Sequence, residues 1–182
     1  MKRAFIFLAE GFEEIEAINT IDILRRADVE LTIVSIYAHK NVKAAHNVTI
    51  EADATFAETD FANGDMLILP GGMPGSANLR ACQPLNDLIL KYSEQGKYLA
   101  AICAAPMVFG NLGLLQGKTA TCYPGFENEL KGATPSDKPV VVSGNIITGK
   151  APGCTMEFAL TLVELLKSKE LADTIAGQIF FR

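Results

Sequence analysis

Short apolar runs alternate with helix-like segments along the first two thirds of this 182-residue chain. Three of the runs have the length and continuous apolar character of buried strands, at residues 4–8, 31–36 and 66–69. Two intervening segments repeat apolar residues at helical spacing, at residues 13–27 and 79–94. This alternation favours a parallel sheet with helices on both faces, because each strand needs a helical crossover to reach a parallel neighbour. With no linker or repeat in the chain, we predict a single α/β domain over residues 1–182.

The segment at residues 97–106 changes from an apolar run into the start of a helix at Cys103. Pro106 fits only in the first turn of that helix, where its missing N–H has no intrahelical partner to lose. A side chain at such a junction projects from the C-terminal edge of the sheet, beside free helix N–H groups that favour a nucleophilic thiolate. The sequence therefore predicts a nucleophile elbow with Cys103 as the reactive residue. The alternative is an inert buried thiol, since free cysteine is commonly buried.

Two other loops are expected at the same edge, because ligands of such sheets bind outside the carboxyl ends of the strands. The loop after the first strand leads into Glu16, which the first helix holds in place. A carboxyl group packed against a thiolate has a raised pKa, and in its protonated form it donates a hydrogen bond to sulfur or moves a proton. In the alternative interpretation, Glu13, Glu14 and Glu16 are all solvated residues that match the helix dipole.

A double glycine, Gly71-Gly72, follows the strand at residues 66–69. The N–H of Gly72, together with the N–H of Ala104 after the nucleophile, is predicted to form an oxyanion hole. A double glycine is also common in any tight turn. Tyr123, which follows an expected strand at residues 119–121, either points its hydroxyl into the pocket or only packs.

Composition and charge exclude several classes of function. The 16 Lys and Arg and 21 Asp and Glu residues give a net charge of −5, which argues against nucleic acid or an anionic membrane as a partner. No apolar run approaches the ~20 residues that span a bilayer. The start of the chain lacks the pattern of a signal peptide, so we expect a cytoplasmic protein.

Cysteine and histidine are too scattered to indicate a disulfide framework or a metal site. Cys82, Cys122 and Cys154 are expected to be free thiols without a catalytic role, and no CxxC pair occurs. The histidines, His39 and His46, lie in an irregular region, and two are too few for a typical zinc site. His46 is placed to reach the edge of the site, although a surface loop position is the alternative for both.

Four motifs in order resemble the ThiJ/PfpI superfamily, and within it the branch of the Parkinson-disease protein, the DJ-one or Park-seven type. They are Glu13-Glu14-Ile15-Glu16, Leu69-Pro70-Gly71-Gly72, Ala100-Ala101-Ile102-Cys103-Ala104-Ala105-Pro106, and Pro152-Gly153 before Glu157-Phe158-Ala159-Leu160. The resemblance covers nearly the whole chain and is specific as a set. It implies a flavodoxin-like α/β sandwich that is usually a homodimer.

The same resemblance implies roles for the residues of the predicted site. Cys103 is then the reactive, oxidation-sensitive cysteine, Glu16 hydrogen-bonds its sulfur, and Gly71 and Gly72 line the oxyanion side. Activities of the branch are glutathione-independent glyoxalase and deglycation, with small aldehydes or glycated adducts as partners. We therefore expect a cofactor-free enzyme acting on α-oxoaldehydes; the alternative is an oxidative-stress sensor or redox chaperone that uses oxidation of Cys103.

Two departures from the family pattern bear on the chemistry. Many members of the branch have His where this chain has Tyr123, and a basic residue near the position of His46. Proton transfer here would then use Glu16, Tyr123 or water. Ala104 stands where the protease-like branch has His, and no His follows His46 to complete an amidotransferase pair. Peptidase and amidotransferase activities are therefore disfavoured.

Overall fold

Residues 1–181, the part of the chain that the computed structural model describes, contain a central seven-stranded sheet and two small two-stranded sheets. The strands are β1 (Arg3–Leu8), β2 (Glu30–Ser35), β3 (Asn41–Lys43), β4 (Thr49–Glu51), β5 (Ala54–Thr55), β6 (Met66–Leu69), β7 (Tyr98–Ile102), β8 (Thr119–Ala120), β9 (Thr134–Pro135), β10 (Val140–Ser143) and β11 (Ile146–Gly149). The helices are α1 (Glu14–Arg26), α2 (Gly75–Ala81), α3 (Gln83–Glu94), α4 (Pro106–Asn111), α5 (Thr155–Leu166) and α6 (Lys169–Gln178).

The central sheet has the strand order β10-β11-β7-β6-β1-β2-β5. All neighbouring pairs are parallel except β10 and β11, which form an antiparallel hairpin at one edge. In the centre, Ile6 of β1 lies between Ile33 of β2 and Ile68 of β6, and all three are buried. Continuous apolar strands suit this position because helices cover both faces of a parallel sheet. The predicted mostly parallel α/β sandwich is confirmed.

Helices cover the two faces of the sheet and enclose two apolar cores. On one face α1 packs against α5, and its buried residues Ala17 and Leu24 join Val163 in the core. On the other face Ile89 of α3 and Phe109 of α4 are fully buried. None of the helices within residues 1–181 is long and apolar enough to cross a membrane.

The structure corrects two local expectations and confirms a third. The helix predicted over residues 79–94 is two helices, α2 and α3, which separate at Cys82 where the backbone is extended. Pro84 in the first turn of α3 explains this break, because proline cannot continue a helix from the preceding turn. The short helix expected at residues 126–131 is a single 3₁₀ turn, Glu127–Glu129. The strand expected at residues 119–121 is β8, which pairs with β9 outside the central sheet.

Candidate active site

Cys103 directly follows β7 and adopts a left-handed backbone with φ of 65°. This conformation is strained for a residue with a side chain. Hydrogen bonds hold it on both sides: the Cys103 N–H donates to the Gly149 carbonyl at 2.9 Å, and the Cys103 carbonyl accepts from the Tyr123 N–H at 2.8 Å. Pro106 begins α4, as its fixed φ and missing N–H require. The described backbone thus has the sharp strand-to-helix turn that the sequence predicts.

Glu16 lies in the first turn of α1, and its side chain is completely buried. Its Oε2 accepts a hydrogen bond from the Gly71 N–H at 2.7 Å, and its carboxyl group also interacts with the Cys103 thiol. Burial raises the pKa of Glu16 to about 7, although hydrogen bonds from Cys103 and Gly71 oppose this rise. Oε1 makes no other hydrogen bond within residues 1–181. Near neutral pH this carboxyl is therefore able both to accept and to donate a proton.

The pKa of the Cys103 thiol is raised, contrary to the expectation of a lowered one. Burial is the main cause, followed by the charge of Glu16 and its hydrogen bond with the thiol. The N–H groups of Gly72 and Ala104 hydrogen-bond to the sulfur and favour the thiolate, but they do not outweigh the other effects. At neutral pH the thiol therefore keeps its proton until a base removes it, and Glu16 is the base in contact with it.

The two glycines after β6 have different functions in the site. Gly71 donates its N–H to Glu16, so that N–H is not available to an oxyanion. A Cβ at Gly71 would lie 2.5 Å from Glu16 Oε2 and 2.6 Å from Cys103 Cβ, so only glycine allows these two side chains to meet here. Gly72, with φ of +89°, directs its N–H to the Cys103 sulfur. Of the predicted oxyanion donors, Gly72 and Ala104 thus lie at the sulfur, and Gly71 positions the acid.

A pocket of about 250 Å³ opens over the Cys103 side chain. Its lining residues come from the loops at the C-terminal edge of the sheet: Glu13, Gly72, Met73, Cys103, Ala104, Tyr123, Phe126 and Pro152. Met73 and Tyr123 are 49% and 44% exposed. The structure therefore places Tyr123 at the pocket, beside an apolar mouth that the sequence does not predict.

His46 and two glutamates form a polar cluster beside the pocket. The Glu14 carboxylate accepts hydrogen bonds from the His46 N–H at 2.7 Å and from its Nδ1 at 2.9 Å, and Glu13 Oε2 lies 3.6 Å from the same Nδ1. The contacts with Glu14 and Glu13 raise the pKa of His46. For Glu14, burial acts to raise the pKa, but the hydrogen bonds to its carboxylate outweigh burial and lower it. The interpretation of Glu13, Glu14 and Glu16 as solvated residues is wrong, since all three are largely shielded.

The potential ligand atoms of this cluster lie within 4.8 Å of one another. A metal ion would have to replace hydrogen bonds that already join His46 to Glu14. The other cysteines contribute nothing to the pocket: Cys82 and Cys154 are half-buried, and burial raises the pKa of Cys122 to about 11.

Comparison with known proteins supports the resemblance found in the motifs. The DJ-1/PfpI family matches residues 2–165. The chain is 40% identical over its whole length to Protein DJ-1 homolog B of Arabidopsis thaliana and spans 42% of that protein. It is 33% identical to Glutathione-independent glyoxalase DJR-1.2 of Caenorhabditis elegans, over 96% of this chain and 94% of that protein. The chain thus spans less than half of the plant relative and nearly all of the nematode one.

Solved structures show the same fold over almost the entire chain. Toxoplasma gondii DJ-1 in oxidized form is 36% identical and superposes with a TM-score of 0.95, covering 99% of this chain and 98% of that one. Drosophila melanogaster DJ-1beta, also 36% identical, gives a TM-score of 0.93, with coverage of 98% and 97%. With the family match extending from residue 2 to residue 165, the chain belongs to the DJ-1/PfpI family.

Proposed function

We propose that this protein is a cysteine-dependent, cofactor-free enzyme that converts reactive α-oxoaldehydes, such as methylglyoxal, into hydroxy acids. The observation that carries the proposal is the buried Glu16 carboxyl, with its pKa of about 7, against the Cys103 thiol at the base of a small pocket. Similarity to a nematode protein named as a glutathione-independent glyoxalase supports it. Glycated adducts are alternative substrates of the same thiol.

In the first step, Glu16 accepts the thiol proton as the Cys103 sulfur attacks the aldehyde carbon. A C–S bond forms and the carbonyl π bond becomes an oxyanion, which the N–H groups of Gly72 and Ala104 are placed to receive. The proton returns from Glu16 to this oxygen and gives a hemithioacetal. General base catalysis suits Glu16, because its pKa lies close to neutral pH.

In the second step, Glu16 removes the proton from the carbon bonded to sulfur and passes it to the neighbouring ketone oxygen, giving an enediol. Glu16 then takes the proton from the hydroxyl on the carbon bonded to sulfur and delivers it to the neighbouring carbon, which yields a thioester of the hydroxy acid. Water then breaks the C–S bond, releasing the acid and restoring the Cys103 thiol. The sequence consumes one water per aldehyde and needs no external oxidant or reductant.

Formation of lactate from methylglyoxal tests the proposal. The protein is incubated with methylglyoxal in buffer free of glutathione and treated with a chelator, and lactate is followed by NMR. We expect lactate to form catalytically with wild type, and Cys103→Ser gives the background rate. If wild type produces no more lactate than Cys103→Ser, the proposed activity is wrong.

Removal of the Tyr123 hydroxyl is expected to leave most of this activity intact. Tyr123 lies at the half-exposed mouth of the pocket, whereas Glu16 contacts the thiol directly. We expect the rate with Tyr123→Phe to fall much less than the about 10²-fold that loss of a general acid or base causes. A loss of 10²-fold or more, measured as kcat, would instead assign proton transfer to Tyr123.

A redox sensor is the second candidate function, favoured by the oxidized form of the Toxoplasma gondii structure. A sulfinic acid at Cys103 would accept hydrogen bonds from Gly72 and Ala104 N–H and from protonated Glu16. Oxidation by peroxide confined to Cys103, found by mass spectrometry in a protein without aldehyde turnover, would favour this function. Oxidation distributed over several cysteines, in a protein without aldehyde turnover, would favour the interpretation of Cys103 as an inert thiol.

We also propose a homodimer, formed through the exposed apolar face of α1. Ile15 and Ile18 are exposed one turn apart on α1. Val48, also exposed, lies in the β3–β4 hairpin, which contacts α1 through a hydrogen bond from the His46 N–H to Glu14. In sedimentation equilibrium we expect wild type at twice the monomer mass and Ile18→Glu as a folded monomer. Val142→Glu, on exposed β10, is the matched control and should stay dimeric. A monomeric wild type at micromolar concentration would contradict the proposal.

A further inference from the structure

We propose that the pocket over Cys103 selects α-oxoaldehydes with an uncharged, preferably aromatic side group and discriminates against anionic ones. The inference rests on the proposed function and concerns its substrate class. Among the residues that line the pocket, Glu13 is the one acidic side chain and no Lys, Arg or His is present. A substrate phosphate or carboxylate would therefore find no cation to pair with among the residues that line the pocket.

The mouth of the pocket offers apolar surface that a larger side group would cover. Met73 and Tyr123 are about half exposed, and Phe126 and Pro152 line the same pocket. At about 250 Å³ the pocket is below the ~300–1,000 Å³ of sites for drug-sized ligands, so it suits a compact molecule. The methyl group of methylglyoxal would leave most of this surface in water. An aryl group would bury it against a thioether and aromatic rings.

Glu13 supplies the negative charge, and the structure fixes its position. Its backbone N–H donates to the Gly71 carbonyl at 2.9 Å, and its side chain is only 13% exposed. His46 offsets this charge only in part, because its Nδ1 lies 3.6 Å from Glu13 and 2.9 Å from Glu14, and one positive charge is shared between the two carboxylates. Two carboxylates share one imidazole, so the cluster stays negative even when His46 is protonated. An anionic substrate approaching Cys103 meets this charge.

A series of matched aldehydes tests both parts of the inference. We expect kcat/KM for phenylglyoxal to exceed that for methylglyoxal by at least about tenfold, the discrimination that an added apolar group gives in a fitting pocket. Tyr123→Ala should lower the value for phenylglyoxal more than that for methylglyoxal. If methylglyoxal is the better substrate of wild type, the preference for an aromatic group is wrong.

Charge is tested with 4-nitrophenylglyoxal and 4-carboxyphenylglyoxal, which have nearly the same shape but differ in charge. We expect wild type to prefer the neutral nitro compound by about tenfold or more, and Glu13→Gln to bring this ratio several-fold closer to one. Glu94→Gln, which removes an exposed carboxylate at the end of α3, should leave the ratio unchanged. Equal ratios in wild type and Glu13→Gln would overturn the role of Glu13.

Alkylation of Cys103 separates this inference from the proposed function, because it needs no turnover. Iodoacetamide is neutral and iodoacetate is anionic, and they differ little in size. We expect wild type to favour iodoacetamide more strongly than Glu13→Gln does, with Cys103 labelling read by mass spectrometry. If this difference is found but no aldehyde is turned over, the proposed function fails and the pocket selectivity stands. Turnover without the difference overturns the selectivity alone.

Discussion

Glu16→Gln is expected to lower kcat/KM for methylglyoxal by about 10²- to 10⁴-fold and, at the same time, to make Cys103 react faster with iodoacetamide. Turnover falls because the amide cannot accept the thiol proton or move a proton between substrate carbons. Alkylation speeds up because the charge and hydrogen bond of Glu16 both raise the pKa of Cys103, and glutamine removes that charge. The pH midpoint of alkylation should therefore move downward.

The two effects have opposite directions, so the experiment distinguishes the loss of a catalytic base from a general loss of reactivity at Cys103. Alkylation rates are measured from pH 6 to pH 10, with each cysteine identified by mass spectrometry. Cys82 serves as an internal reference, since it lies away from the pocket, and Glu164→Gln controls for the loss of a surface charge. If Glu16 instead donates a hydrogen bond to a resting thiolate, Glu16→Gln will not lower the midpoint.

The stability of the fold is expected to depend on pH through Glu16. Its pKa is about 7 in the folded protein, above the ~4.3 of an unfolded chain, so the folded state binds its proton more tightly. This contribution is fully present below pH ~4.3 and is lost as the pH rises through 7. At ~1.4 kcal/mol for each pH unit between the two values, the free energy of unfolding of wild type should fall by about 4 kcal/mol relative to that of Glu16→Gln.

Urea unfolding between pH 4 and pH 8 measures this difference. Subtracting the free energy of unfolding of Glu16→Gln from that of wild type removes the titration of groups that both proteins share. The same subtraction with Glu164→Gln should give a nearly flat line, because that carboxylate is exposed. A flat line for Glu16→Gln as well would show that the folded protein does not raise the pKa of Glu16.

The fold and the elbow were predictable because their signals are local. The apolar runs of β1, β6 and β7 and the position of Pro106 each lie within a few residues of sequence. The split between α2 and α3 was also visible in principle, since Pro84 marks a helix start. The apolar stripe over residues 79–94 continues across this proline, and the single helix that it predicts is wrong.

The electrostatics of the site were not predictable, because they depend on burial by residues distant in sequence. Helix N–H groups suggested a lowered pKa for Cys103, but α4 is only one and a half turns long and burial dominates. Likewise, nothing near His46 in sequence indicates that the β3–β4 hairpin places it against Glu14. Which carboxylates are buried away from solvent is visible only in the folded chain.

The hydrogen bond from the Cys103 N–H to the Gly149 carbonyl means that the turn at Cys103 is completed late in biosynthesis. The acceptor lies in β11, which the ribosome delivers well after the elbow itself. A nascent chain that has not yet reached Gly149 lacks the carbonyl that fixes the strained turn. Its cysteine then lacks one of the two hydrogen bonds that hold the turn. The proposed chemistry of Cys103 therefore requires the completed sheet, and we expect a translation product that ends before Gly149 to lack it.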